Sequence, residues 1–193
     1  MASIDEKFDI IEKNEQRFAI LLASQVIYKP KLSIWMILIP VIFVYFFYQF
    51  NKYKQGREDF TANYLISRKR ALNAARDAIL EDRAPNLEEL VKLAKLPFET
   101  LGAYRELLAV LVQHYTDLLR AEGDEIPELV KSAYRTRTNY LLFYNRLNQV
   151  ERELNAALRP HMQETTEGFD DAVRRIENVS IELRREDVDY IFT

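Results

Sequence analysis

The chain reads as all-α: one membrane helix, spanning or re-entrant, followed by an antiparallel helical-bundle or coiled-coil domain. Three observations lead there. Leu32 to Phe50 run nineteen residues without a charge. On either side of that run, apolar residues recur three and four apart, the period of a helix with one buried face. The four glycines and six prolines fall almost only where those patterns break, and no run alternates as a strand would. The expected units are an amphipathic helix in residues 1–30, a membrane anchor in 31–55 and a cytoplasmic helical bundle in 56–193.

The first unit opens on Ser3 and Glu6, spaced as a capping box, and continues with Ile4, Phe8, Ile11, Phe18 and Leu22 at helical spacing. From Phe18 to Tyr28 it becomes almost continuously apolar. It is too short there to span a bilayer and suits an interfacial or partner-packing helix. Lys29-Pro30-Lys31 interrupts it.

Leu32–Phe50 is long enough as a helix to match a hydrocarbon core of about 30 Å. Trp35, Tyr45 and Tyr48 suit the interfaces, and Lys29, Lys31, Lys52 and Lys54 bracket the run. Pro40 near its middle removes a backbone hydrogen bond and predicts a kink in a spanning helix or the turn of a re-entrant hairpin. More lysine and arginine follow the run than precede it, which places the bundle in the cytoplasm as a single-pass protein. The lipid bilayer is thus the first expected partner.

Beyond Gly56, the expected hinge, Phe60, Leu65, Leu72, Ala75 and Ile79 continue the helical period. Arg68-Lys69-Arg70 reads as a solvated, salt-bridged face, because on a straight helix Arg68 lies about 27 Å past Phe50. Pro85-Asn86 breaks the pattern, and Asn86 followed by Glu88 and Glu89 starts a short helix ending before Pro97. Leu101, Tyr104, Leu108, Leu111, Tyr115 and Leu118 form a heptad-like seam that closes at Gly123, a suitable C′ glycine. Pro127 sits in the first turn of a long helix running through Tyr140, Phe143, Leu147, Val150, Leu154 and Ala157 to Pro160, more than thirty residues. The last helix, capped by Thr165 or Thr166, carries Phe169, Ala172, Ile176, Val179 and Leu183. Beyond it Tyr190, Ile191 and Phe192 form an apolar end that must dock, on this bundle or on a neighbouring subunit.

Composition excludes several chemistries. Lysine plus arginine number 27 against 30 aspartate plus glutamate, a net charge of −3 with both signs interspersed, which argues against nucleic acid. The absence of cysteine excludes disulfides, thiolate metal sites and a cysteine nucleophile. The scattered glycines build no phosphate-cradling loop. His114 flanks the seam as an ordinary boundary residue. His161 precedes Glu164 and Glu167, but no Glu-x-x-His occurs, so no di-iron pattern forms. Tyr134, Arg135, Arg137 and Tyr140 mix basic and aromatic groups and are expected to pack within the bundle. No catalytic, cofactor-binding or metal residues are assigned.

These features point to a membrane-anchored interaction or scaffold protein, a non-catalytic subunit or assembly factor that binds other subunits or itself. The competing reading is a membrane-interface enzyme or lipid-handling protein on a re-entrant anchor. A pore ranks last, since no charge lies in the apolar run to select an ion.

Overall fold

Residues 2–26, 56–94, 96–161 and 166–193 are described by the computed structural model, side chains at 56, 57, 59 and 166–169 excepted. The fold is all-helical and, among the described residues, free of strands. Its elements are α1 (Ile4–Val26), α2 (Gly56–Leu80), α3 (Leu87–Lys92), α4 (Leu101–Arg120), α5 (Ile126–Tyr134), α6 (Arg137–Leu158) and α7 (Thr166–Phe192). Single 3-10 turns at Phe98–Thr100 and Arg159–His161 precede α4 and follow α6. Among the described residues no helix is long and apolar enough to cross a membrane. The expected anchor, with Lys29, Lys31, Trp35, Pro40, Tyr45, Tyr48, Lys52 and Lys54, lies outside the described residues.

The seam read from Leu101 onward makes α4 the centre of the bundle. It touches α1, α2, α3, α5 and α6. Tyr104, Leu107, Leu108, Leu111, Val112, Tyr115, Leu118 and Leu119 are all buried, so three- and four-residue steps cover more than one side of the helix. Each such side chain gains roughly 1.5–3 kcal/mol over an exposed position, which makes this helix the main source of hydrophobic stabilisation. A second cluster joins Ala19, Leu22, Ala23 and Val26 of α1 to Phe60, Tyr64 and Leu65 of α2, and to Ile176 and Leu183 of α7.

α1 is part of this core. Ser3 and Glu6 cap each other: the Glu6 amide donates to Ser3 Oγ at 3.2 Å, and the Ser3 amide donates to the Glu6 carboxylate at 2.8 Å. One turn later the buried Lys7 ammonium donates to the carbonyls of Leu119 at 3.3 Å and Ala121 at 2.6 Å. A cation there satisfies carbonyls that the end of α4 leaves without helical partners. The Ala2 amide donates to Asp124 at 2.6 Å. The start of α1 is therefore tied to the end of α4.

Four details correct the sequence reading. α4 ends at Arg120 with Ala121 extended, so Gly123 is not its C′ residue; Gly123 sits in the following loop at φ +140°. The expected long helix is two, α5 and α6, broken where Arg135 takes φ +65° and Thr136 becomes an extended N-cap whose hydroxyl accepts from the Asn139 amide at 3.2 Å. Thr136 offers α6 a better start than helical continuation offers the chain. The last helix does not stop near Leu183 but continues to Phe192. Arg68 is no solvated face: only 6 % of it is exposed.

A Cβ on Gly123 would stand 2.6 Å from Glu128 Cβ, at a backbone angle that L residues rarely adopt. Gly123→Ala should therefore lower stability by about 1–3 kcal/mol, read as a drop in the urea midpoint with an unchanged m-value.

Candidate functional site

Four helices meet at a buried chain of charges. Glu15 on α1 pairs with Arg68 on α2 at 3.1 Å; Arg68 also reaches Glu151 on α6 at 2.9 Å; Glu151 in turn holds Arg184 on α7 at 2.7 and 2.9 Å. Arg184 donates as well to Asn148. Both guanidiniums are nearly sealed from solvent, Arg184 at 2 % exposure. Tyr115 donates its hydroxyl to Glu15 at 2.9 Å, and the Tyr64 ring lies under the Arg68 guanidinium at 3.8 Å. Charges so deeply placed are tolerated because every one has a partner of opposite sign.

Burial alone would raise the carboxyl pKa of Glu151, but the Arg184 and Arg68 guanidiniums outweigh it and hold the group at about 2. Burial likewise works against the charges on the two arginines, and the anionic and phenolic oxygens around them raise both above their usual value. The Tyr64 phenol is pushed up to about 12 by burial. Its hydroxyl is buried, with no hydrogen-bond partner among the described residues.

Beside this chain lies a second polar cluster built on α4, α5, α6 and α7. The hydroxyls of Tyr140 and Tyr144 both donate to Asp187, at 3.1 and 2.9 Å. The His114 ring stacks on Phe143 with centroids 4.0 Å apart, and its Nδ1 lies 2.6 Å from the Tyr134 hydroxyl. Burial, then the nearby positive Arg68, lowers the His114 pKa to about 3, so the imidazole is neutral at ordinary pH. Between the two clusters runs a cavity of about 240 Å³ open to one side, walled by Phe18, Leu111, Leu183, Tyr64, Arg68 and Arg184 among others.

Beside the cavity, two aromatic residues that the sequence reading grouped with Arg135 and Arg137 meet a histidine it treated separately. Tyr134, Tyr140 and His114 meet in one aromatic cluster, whereas Arg137 turns away from it to pair with Asp189 at 2.6 Å. The apolar end divides: Ile191 is buried in the main core, the Phe192 ring lies 6.2 Å from Tyr140, and Tyr190 is 71 % exposed. His161 stands 3.8 Å from Glu99. Among the described residues no cluster of histidine and carboxylates could hold a metal ion.

Sequence reasoning missed Glu15, Glu151 and Arg184. The signal lay in the helical wheel: Arg184 follows Leu183 and precedes Val188 by one turn, and Glu151 follows Val150, so each sits beside a core position rather than on the outer face. Comparison with family models, with characterised proteins and with solved structures finds no match.

Two outcomes follow for stability. Glu151→Ala leaves two guanidiniums buried with one carboxylate between them, and should cost about 3–5 kcal/mol in chemical denaturation. The folded chain holds Glu151 at about 2 against an ordinary 4.5, so its contribution is complete above about pH 4.5 and is lost as pH falls toward 2. His114 acts earlier on the same acid limb: the unfolded chain takes up a proton below about 6.5, the folded one only near 3, so stability declines across that interval. Denaturation midpoints measured down the acid limb should fall in two stages, and His114→Gln should remove the upper stage while sparing the lower.

Proposed function

We propose that this chain is a membrane-anchored, all-helical interaction protein, a non-catalytic subunit or assembly factor of a membrane complex. The observation that carries the reading is how the polar interior is used. Glu15, Glu151 and Asp187 are each engaged by side chains of another helix. These carboxylates lock helices in register, a role attested for buried polar groups that specify one packing. Phe98, at 84 % exposure, and Leu93, Leu142 and Tyr190 lie open on the surface, where apolar and aromatic side chains anchor protein contacts. The partners are other subunits or a second copy of this chain. The run 32–50 supplies the attachment to the bilayer.

One observation favours a second reading, that of a lipid-handling protein. The cavity pairs an apolar wall of Phe18, Leu111 and Leu183 with the Tyr64 hydroxyl, which has no hydrogen-bond partner among the described residues, an amphipathic lining suited to a small amphipathic ligand.

Extraction of the full chain from its native membrane in mild detergent, followed by native mass measurement, separates the two. The interaction reading expects a discrete particle of several copies or with further subunits. A monomer carrying lipid of defined mass would replace it with the second reading, and a monomer with neither would sink both.

A further inference from the structure

The cavity beside the charge chain takes its lining chiefly from α1, α4, α6 and α7, and the packing around it fixes its outline. α1 is held against α2 by three ion pairs, Asp5 with Arg76 at 2.9 Å, Glu12 with Lys69 at 2.9 Å and Glu15 with Arg68 at 3.1 Å. On the other side Arg184 ties α7 to Glu151 of α6 at 2.7 Å. At about 240 Å³ the cavity exceeds the roughly 150 Å³ that takes up benzene in an apolar core, so one ring with a short tail fits and a two-chain lipid does not.

Its charged lining does not balance. Glu15, Arg68, Glu151 and Arg184 compensate one another within the chain of ion pairs. Arg17 and Glu186, the exposed charges of the lining, carry opposite signs. Asp187 is left over. Only its Oδ2 is engaged, accepting from the Tyr140 and Tyr144 hydroxyls at 3.1 and 2.9 Å, and both donors are neutral. Arg184, one turn earlier on α7, is spent on Glu151, and Arg137 on Asp189. Among the described residues, then, Oδ1 has no hydrogen-bond partner and the carboxylate has no counter-ion. A half-buried anion so placed lacks the compensation that the four charges of the chain have.

The surroundings of Asp187 are aromatic. Phe18, Tyr140, Phe143 and Tyr144 share the lining, and ring faces attract cations. A second group also lacks a partner: Tyr64 is 5 % exposed, yet its hydroxyl makes no hydrogen bond among the described residues, a rare state for a buried phenol. We propose that the cavity binds a small organic cation, a protonated amine carried on an aromatic or short aliphatic body, with the ammonium on Asp187 Oδ1 and the body against Phe18, Leu111 and Leu183. This rests on the second of the two readings above, to which it adds the sign of the head group. An anionic ligand meets the surplus carboxylate with like charge, and a neutral one leaves it uncompensated.

The test titrates the full chain, in mild detergent, with phenylethylammonium, phenylethanol and phenylpropanoate, which share a ring and differ in the charge of the head group. Ligand-observed NMR reads each affinity against empty micelles. At neutral pH the amine should bind about tenfold more tightly than the alcohol or better, the margin of one charge-assisted hydrogen bond, and the carboxylate should bind more weakly than either. Asp187→Asn keeps an oxygen for the two tyrosines and removes the charge. It should bring the amine down to the affinity of the alcohol and leave the alcohol unchanged. Should that variant not fold, the ranking in the unaltered chain decides alone. An alcohol or carboxylate that binds as tightly as the amine, or an amine preference that survives Asp187→Asn, would overturn the cationic site and leave the cavity standing as a ligand site. Binding of none of the three would overturn both.

Discussion

The alternation Glu15, Arg68, Glu151, Arg184 is the constraint on which the arrangement of the bundle depends. Each charge comes from a different helix, and each inner member is shared between two neighbours. Removing water from four charges costs several kcal/mol per ion, so little net stability is expected of the set compared with apolar side chains of the same volume. What it enforces is register. A slip of α1 by one turn along α2 would leave Arg68 without Glu15 and bury a lone charge, whereas the leucines around it would tolerate the slip far better.

α1 has special need of such a device. It joins α2 only through residues 27–55, so no short loop dictates how the two helices meet, as short loops do elsewhere in the bundle. Its position is set by contacts: the capped first turn beside the end of α4, the three ion pairs along α2, and the apolar cluster at its far end. That distribution holds both ends and the middle. The bundle consequently includes a helix that composition alone would assign to a membrane surface or a partner.

The seam of α4 was legible because a helix at the centre of a bundle shows its period without interruption. The caps were legible for another reason: the Ser3–Glu6 box and the Asn86 N-cap, which accepts from the Glu89 amide, are local hydrogen-bond geometry set within four residues. The break at Arg135 was not, since neither glycine nor proline marks it and the apolar period runs across. Only the competition of the Thr136 cap with continued helix decides it. The charge chain left only a faint local signal, the place of its members beside core positions on the helical wheel. Glutamates and arginines beside core positions are common on solvated helix faces, and whether they are buried depends on which helix covers them. Arg68 shows the point: α1 and α6 cover it, and both lie far from it in sequence.

The link between Lys7 and the carbonyls of Leu119 and Ala121 spans more than a hundred residues of chain. During synthesis α1 emerges first, yet the groups that hold its opening turn appear only after α4 is complete, and Arg184 later still. Contacts of such sequence separation slow folding by the loop entropy they must overcome. For this chain, then, α1 is made long before the helices that will enclose it, and its opening turn finds its partners only after α4 is complete.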